Sequence, residues 1–448
     1  MIKVLRDYIF IVIKVRSRTK KEALHQHNFF VFLRHILKTM SAPLKEKAIR
    51  IADYDYPLPE ERIAFYPKEP RDTSKLLVYR NGKITDSHFY QLADFLDRDT
   101  MLIFNNSKVI HARLRVHNAT GAAIEIFCLE PMLPTTELAS AFTQTSPVTW
   151  KCFVGNAKRW KHPLTIVAQV RDREVRITAE KGDNCEGAFP VTFTWAESDI
   201  TFAEWIEAYG KMPLPAYIKR EASEEDEARY QTVYARHDGS VAAPTAGLHF
   251  SENVLAQLRQ KGVDLQYLTL HVGAGTFKPV TTELIGDHYM HQEQVIITKE
   301  LIEQLLHDTQ KRRIAVGTTV VRTLESLFLM GAKLALSLPS PFLIEQWEAY
   351  ENPQFASITA EQSLQALQDY MGTQHTDHIA GATRLMIVPT YKHHMIQGII
   401  TNFHQPKSTL LLLIASIIGD DWHRVYEHAL SHDYRFLSYG DSNLYIND

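Results

Sequence analysis

The chain has 448 residues, 45% of them hydrophobic and 23% charged, which excludes disordered and fibrous proteins and predicts two or three globular domains. The formal net charge of −3 neither favours nor excludes a nucleic-acid partner, because a local basic face can bind phosphate without dominating the sum. Three widely spaced cysteines without a CxxC pair exclude an iron–sulfur cluster held by this chain and favour a cytoplasmic location.

Residues 1–39 differ from the rest of the chain, with nine Lys or Arg against two acidic residues. The apolar stretch from Tyr8 to Ile13 is far shorter than the ~20 residues that span a bilayer, and no small-residue cleavage site follows it. Three interpretations stay open: translation starts at Met40, which we favour, or the segment is a basic arm that contacts RNA, or it is a targeting segment. The apolar run from Leu410 to Ile418 is also too short for a membrane span and predicts a buried helix.

Short alternating apolar runs, broken by turn residues, occupy the region from about 101 to 194. IEIFCLEP, LTIVAQV and EVRITAE are examples. This pattern is typical of antiparallel strands, and we predict a small β-barrel domain over residues 101–194. Residues 40–100 and 195–448 are assigned to a larger α/β domain.

From about residue 241 a different unit repeats, which consists of a strand, a polar loop and a helix. The predicted strands are VDLQYLTLHV, RIAVG and MIQGIITNF, and the predicted helices are SENVLAQLRQ, TTVVRTLESLFLMG and HQPKSTLLLLIASIIG. Ser251 is the expected cap of the first helix, and Pro406 is expected in the first turn of the last. These units predict an α/β fold with a mostly parallel sheet, in which ligands bind where loops leave the carboxyl ends of the strands.

The polar loops carry candidate ligand-binding residues. Glycine lets a ligand approach the backbone, hydroxyl and amide groups form directed hydrogen bonds, and helix amino ends favour a carboxylate or phosphate. If the loops converge, they form one pocket. The candidates are Thr245, Gly247 and His249; His271, Gly273, Gly275 and Thr276; Thr318 and Thr319; and Asn402, His404 and Lys407.

Each motif alone also has an ordinary structural interpretation. HVGAGTF lacks the complete GxGxxG spacing and is equally consistent with a tight turn, and a single histidine is more often a core or capping residue than a catalytic one. His288, His291 and Glu293 lack HExxH spacing, so we predict an orienting or surface role for them rather than a metal site. The cluster around Arg71 and Lys75 either binds phosphate or carboxylate or is a solvated loop.

Nine segments together are far more specific than any one of them. In this order along the chain, from about residue 51 to the end, they resemble the QueA family of S-adenosylmethionine:tRNA ribosyltransferase-isomerases. The segments are DYDYPLPEERIAFYP, LIFNNSKVIHARL, KMPLPAYI, YQTVYARHDGSVAAPTAGLHF, TLHVGAGTFKPV, HYMHQE, IAVGTTVVRTLES, TNFHQPKSTLLLL and YRFLSYGDSNLYI.

The resemblance implies a larger α/β domain with a small β-barrel, in agreement with the patterns. It also implies transfer and isomerisation of the ribosyl part of S-adenosylmethionine onto 7-aminomethyl-7-deazaguanine at the tRNA wobble position, which gives epoxyqueuosine and releases adenine and methionine. S-adenosylmethionine is then a consumed substrate, and neither a metal nor an organic cofactor is implied. The implied partner is tRNA through its anticodon loop, and neither a membrane nor an obligate protein partner is expected.

The implied chemistry assigns roles to the candidate residues. A base must remove a proton beside the sulfonium, and a neutral imidazole suits this role. The leaving adenine needs a hydrogen-bonding group, and the methionine carboxylate needs a cation or a helix amino end. The candidates are His249, His271 and His404, unranked, for the base; Asn402 for the adenine; Arg322, Lys407 and the Thr318 amides for the carboxylate; and Arg71, Lys75 and Arg113 for tRNA.

Three positions depart from the family pattern: Lys211 replaces a histidine, Thr390 a glycine and Gln405 a leucine, and residues 327–380 are longer than usual. Two other classes of function stay open. A methyltransferase that uses HVGAGTF as its binding loop predicts S-adenosylhomocysteine as product. A non-catalytic tRNA-binding module predicts affinity that falls steeply with salt, without turnover.

Overall fold

The structure is a computed structural model, and it describes residues 44–185, 187–215, 217–218, 220, 222–271 and 280–447. The basic segment 1–39 and the predicted binding residues Gly273, Gly275 and Thr276 lie outside these ranges.

Within these ranges the chain alternates between strands and helices, with several short 3-10 turns. The strands are β1 (Lys75–Arg80), β2 (Lys83–His88), β3 (Thr100–Asn105), β4 (Ser107–Val109), β5 (Arg113–His117), β6 (Ala123–Leu133), β7 (Val148–Gly155), β8 (Leu164–Val170), β9 (Arg173–Lys181), β10 (Phe189–Thr194), β11 (His237–Ser240), β12 (Asp264–His271), β13 (Glu293–Thr298), β14 (Arg312–Val316), β15 (Leu343–Ile344), β16 (His378–Thr383), β17 (Gly398–Asn402) and β18 (Ser442–Ile446). The helices are α1 (Leu138–Thr143), α2 (Phe202–Tyr209), α3 (Glu224–Arg229), α4 (Glu252–Gln260), α5 (Lys299–His307), α6 (Thr318–Ala335), α7 (Glu348–Glu351), α8 (Ala360–Gln374), α9 (Thr409–Ile418) and α10 (Asp421–Ser431).

A ten-stranded sheet forms the larger part of the fold, with the order β15-β16-β13-β12-β3-β14-β17-β18-β1-β2. Its central strands β12, β3, β14 and β17 are parallel, and seven of the ten strands run in one direction, against β13, β18 and β1. The predicted α/β fold with a mostly parallel sheet is confirmed.

Both faces of this sheet are covered, which explains why its central strands are continuous apolar runs. In β3, Met101 and Ile103 pack into one core cluster with α6, whereas Leu102 and Phe104 pack into another with α4. Neighbouring residues of a strand point to opposite faces, so each face receives its own row of apolar side chains.

Capping residues set where the helices of this unit begin. Ser251 accepts a hydrogen bond from the backbone N–H of Val254 at 3.2 Å, as expected for an N-cap. The expectation for Pro406 is wrong, because the last predicted helix starts at Thr409. Lys407 has a left-handed backbone with φ of 53°, and Ser408 caps the helix by accepting from the N–H of Leu411.

Six antiparallel strands, in the order β5-β6-β7-β10-β9-β8, form the small barrel. The Cα atoms of its edge strands β5 and β8 approach within 8 Å, so the sheet nearly closes. Its core contains the stacked rings of Trp150 and Phe202, with Phe193 and Trp205 beside them.

The barrel differs from the predicted range 101–194 at both ends. β3, which that range includes, lies in the ten-stranded sheet because its residues are apolar on both faces. After residue 194, α2 packs its buried Phe202, Trp205 and Ile206 onto the barrel, although the sequence assigned this segment to the α/β domain.

The apolar run Leu410 to Ile418 forms most of α9, whose residues are largely buried in the core of the sheet. Among the described residues, no helix combines the length and the apolar character needed to cross a membrane.

Candidate active site

A cleft lies at the carboxyl edge of the central strands. β14 leads there through Gly317 into α6, β17 leads there towards α9, and a 3-10 turn over Thr245–His249 packs beside β17. Together with the solvent-open space at its mouth, the cleft encloses about 910 Å³. Its lining includes Thr245, Thr318, Thr319, Asn402, His404 and Gln405.

A chain of hydrogen bonds starts at the cleft and runs into the protein. Thr245 Oγ1 donates to Asn402 Oδ1 at 2.9 Å, and Asn402 Nδ2 donates to His249 Nε2 at 3.0 Å. His249 Nδ1 lies 2.8 Å from Ser74 Oγ. Because Nε2 accepts from the amide, a neutral ring carries its proton on Nδ1 and donates it to the serine.

His249 therefore lies behind Asn402 and not among the residues that line the cleft. Burial is the largest cause that lowers its pKa, to about 3, and the positive charges of Arg435 and Arg71 lower it as well. The ring is thus neutral at pH 7, with Nε2 already engaged by an amide. In this arrangement His249 orients Asn402 more directly than it can reach a substrate.

His404 is the predicted base that lines the cleft among those whose side chains are described. Its Nε2 lies 3.0 Å from Thr401 Oγ1, and burial lowers its pKa to about 3. The backbone holds the residue firmly, since its N–H donates to Tyr426 Oη at 3.1 Å and its carbonyl accepts from Tyr56 Oη. The third candidate, His271, is the last residue of β12, and its side chain is outside the described part of the structure.

The amino end of α6 faces the cleft through Thr318 and Thr319. Gly317 precedes it with φ of 99°, a conformation that residues with a side chain rarely adopt. The first N–H groups of a helix have no acceptor within the helix and carry partial positive charge. This edge of the cleft is therefore suited to a carboxylate or another anion.

Two cations that the sequence proposed for the same carboxylate are directed elsewhere. Arg322 is buried, and its Nη1 contacts Glu293 Oε2 at 2.7 Å while its Nε donates to the carbonyl of Leu385. Lys407 Nζ contacts Asp55 at 2.8 Å on the surface. Neither side chain lines the cleft. The ion pair with Arg322 gives Glu293 a structural role. In the sequence, Glu293 was considered together with His288 and His291 as a possible metal site.

Gly247 was predicted to let a ligand approach the backbone, and the structure gives it a different neighbour. A Cβ atom at this position would lie 1.9 Å from the hydroxyl of Tyr234 and 2.8 Å from Cγ2 of Thr232. Glycine is required here because buried side chains pack against its Cα, and Gly247 does not line the cleft.

The three predicted tRNA contacts have different surroundings in the structure. Lys75 Nζ donates to the carbonyl of His432 at 2.7 Å and lies over the ring of Tyr434. Arg113, on the barrel strand β5, is paired with Glu125. Arg71 alone lines a cavity near the cleft.

Of the three departures from the family pattern, Gln405 alone lines the cleft. Lys211 bridges the backbone of Arg113 at the start of the barrel. Thr390 donates to Glu46 Oε1 at 3.1 Å and lines a separate cavity next to α6 and α7. The long segment 327–380 contains β15, which is an edge strand of the ten-stranded sheet.

A second, smaller cavity, of about 240 Å³ including space open to solvent, was not predicted from the sequence. It borders the cleft at Ser438, which lines both, and Lys68, Arg71 and Arg435 contribute its cations. The string YRFLSYGDSNLYI contains Arg435 and Ser438, and is the signal that could have pointed to this cavity.

Comparison with known proteins agrees with the motifs. A family model described as queuosine biosynthesis protein matches residues 51–445. The chain is 35% identical over 405 residues to an S-adenosylmethionine:tRNA ribosyltransferase-isomerase of Treponema denticola, covering 88% of this chain and 99% of that protein. It is 38% identical over 398 residues to one of Aromatoleum aromaticum, covering 88% and 97%.

A crystal structure of S-adenosylmethionine tRNA ribosyltransferase from Thermotoga maritima matches 88% of this chain and 100% of its own, at 26% identity and a TM-score of 0.43. The resemblance carried by the nine segments is confirmed by the family match and by the relatives from Treponema denticola and Aromatoleum aromaticum. The chain belongs to the family of queuosine biosynthesis proteins.

Proposed function

We propose that this chain is an S-adenosylmethionine:tRNA ribosyltransferase-isomerase. It transfers the ribosyl part of S-adenosylmethionine to 7-aminomethyl-7-deazaguanine at the wobble position of tRNA, rearranges it to epoxyqueuosine, and releases adenine and methionine. One observation carries this proposal: the loops that contain Thr245, Gly317 and Asn402 line one cleft. The relatives that match nearly their whole length to this chain are named S-adenosylmethionine:tRNA ribosyltransferase-isomerase.

In this proposal S-adenosylmethionine binds in the cleft as a consumed substrate, and the reaction needs no cofactor. The amino end of α6 at Thr318 and Thr319 binds the methionine carboxylate, because Arg322 and Lys407 are engaged in ion pairs outside the cleft. Asn402 retains a second amide hydrogen beyond the one it donates to His249, and directs it to the adenine ring.

His404 is the base in this proposal. When its Nε2 donates to Thr401, Nδ1 is left as the proton acceptor for the position beside the sulfonium. Its pKa of about 3 keeps the ring neutral at pH 7, and the same burial makes it a weaker base than an exposed imidazole. His404→Asn should reduce exchange of those substrate protons with deuterated solvent by about 10²–10⁴-fold. Near-normal exchange in that variant would exclude the role.

The partner is tRNA, bound through its anticodon loop in the cytoplasm, and no membrane or obligate protein partner is needed for the reaction. The decisive experiment incubates the protein with S-adenosylmethionine and tRNA that carries 7-aminomethyl-7-deazaguanine, followed by mass spectrometry of nucleosides and small molecules. Free adenine together with epoxyqueuosine in the tRNA is the expected result. S-adenosylhomocysteine would indicate a methyltransferase, and tRNA binding without turnover would indicate a binding module.

A further inference from the structure

The small cavity beside the cleft has an unusual charge. Three cations line it, Lys68, Arg71 and Arg435, together with the neutral ring of His249, and no carboxylate lines it among the residues that the structure describes. Ser438 belongs to both this cavity and the cleft. We refer to it as the basic cavity.

Neutral backbone atoms hold the two guanidinium groups. Arg435 donates from Nη1 to the carbonyl of Tyr66 at 3.2 Å and from Nη2 to that of Tyr439 at 3.1 Å. Its Nε is buried and has no hydrogen-bond acceptor among the described residues. Arg71 donates from Nη1 to the carbonyl of Gln231 at 3.1 Å. Carbonyls orient these groups without neutralising them.

Carboxylates near the basic cavity have other contacts. Glu69 is paired with Arg229, and Asp72 accepts from Ser251 Oγ at 2.6 Å. Asp441 accepts two backbone N–H groups, at 2.8 and 2.7 Å, and offsets part of the charge of Arg435, while Glu69 and Asp72 offset part of the charge of Arg71. The cavity therefore keeps a net positive charge.

The positive charge also acts on the wall of the cavity. The pKa of His249 is lowered by burial first, and then by Arg435 and Arg71. The histidine therefore stays neutral, and its hydrogen bonds connect the basic cavity to Asn402 at the cleft. An anion in the basic cavity would consequently lie next to a group bound in the cleft.

We infer that the basic cavity binds a phosphodiester of the tRNA anticodon loop next to the nucleotide that is modified. This inference rests on the proposed function. Guanidinium groups match phosphate oxygens geometrically, and phosphate contacts position a nucleic acid without reading its sequence. The alternative anion with the same recognition chemistry is the methionine carboxylate, for which the amino end of α6 already provides a site inside the cleft.

The test measures binding of an anticodon stem-loop and turnover of S-adenosylmethionine separately. Lys68→Gln and Arg71→Gln should each weaken stem-loop binding by about 10- to 100-fold, which is the usual strength of a charged hydrogen bond. Each variant should also lower the slope of log affinity against log salt by about 0.7 to 1. The KM for S-adenosylmethionine should stay unchanged. Thermal melting checks that each variant is folded.

A chemical change on the RNA identifies the contact. Replacing one phosphodiester beside the wobble nucleotide with an uncharged methylphosphonate should weaken binding to the wild-type protein, but produce little further loss with Lys68→Gln. The matched control is Lys83→Gln, which changes an exposed lysine of β2. Lys83 pairs with Arg80 at the end of β1, whereas Lys75 lies at its start, so Lys83 is at the opposite edge of the sheet. Its affinity should equal that of the wild type.

Three results would overturn the inference. A raised KM for S-adenosylmethionine with unchanged stem-loop affinity would assign the basic cavity to the carboxylate. Unchanged values for both substrates would show that it binds neither anion. A wild-type protein that neither binds tRNA nor releases adenine would refute the proposed function, and this inference with it.

Discussion

Gly247→Ala separates a packing role of this glycine from a ligand-binding role. The added methyl group would lie 1.9 Å from the buried hydroxyl of Tyr234 and 2.8 Å from Cγ2 of Thr232. Atoms cannot approach so closely, so the turn that carries His249 must shift. Overpacking of this kind costs about 1–3 kcal/mol, and the short contact places Gly247→Ala near the upper end.

Tyr234→Phe supplies the matched change, because it removes the atom that the new methyl group meets first. The tyrosine hydroxyl is buried without a hydrogen-bond partner among the described residues, so this variant alone should be neutral or about 1 kcal/mol more stable than the wild type. The double variant should recover part of the loss, since contacts to Thr232 and the tyrosine ring remain at 2.8 and 3.0 Å. A coupling free energy of at least about 1 kcal/mol is expected.

Urea denaturation of the wild type, the two single variants and the double variant gives the four free energies of unfolding. Strict additivity would refute the packing explanation. So would a Gly247→Ala variant of wild-type stability with weaker S-adenosylmethionine binding, since that result is what a ligand-approach role predicts.

Three further predictions follow from buried groups. The folded-state pKa values of His249 and His404 lie near 3, below the ordinary value of 6.5, so the unfolded chain binds more protons than the folded chain between these two pH values. The free energy of unfolding should therefore decrease as the pH is lowered through this window, by up to about 1.4 kcal/mol per pH unit for each ring. Urea titrations from pH 7 to 4 measure this, and an unchanged pH dependence in His249→Gln would contradict it. Asn402→Asp should raise the pKa of His249, because a carboxylate beside Nε2 favours the protonated ring; an NMR titration in which the ring still stays neutral down to pH 4 would contradict this. Arg322→Met should destabilise the protein by about 3–5 kcal/mol by leaving Glu293 buried without its ion partner, and adding Glu293→Gln should restore most of the loss in urea denaturation; a stable single variant would exclude this structural role.

The sequence predicted those elements whose signals are local. The cap at Ser251 and the apolar run of β3 depend on residues close in the chain, and both segments form regular structure. The assignment of β3 to the barrel failed, because period and composition identify a strand but not the sheet in which it pairs. The helix after Pro406 starts late because Lys407 adopts a left-handed backbone that composition does not reveal.

The site was predictable where it depends on loops that follow strands, as for Thr318 and Asn402. It was not predictable where function depends on distant partners. Nothing in the sequence around Arg322 shows that Glu293, a buried glutamate at the start of β13, neutralises it. The basic cavity could not be predicted either, because Arg71 and Arg435 are far apart in the sequence and come together only in the folded chain.

The pairing of β1 with β18 has a consequence for how the chain folds. The backbone N–H of Lys75 bonds Asp441, 366 positions away, and the adjacent strands then run parallel from Leu76 and Ser442. The barrel, in contrast, joins strands that all lie between residues 113 and 194. Closing long loops is slow, so we expect the backbone amides of the barrel to become protected from hydrogen exchange early. The amides of β1 should become protected only after β18 has paired with it. Pulse-labelled hydrogen exchange during refolding would detect this order, and simultaneous protection of β1 and the barrel would contradict it.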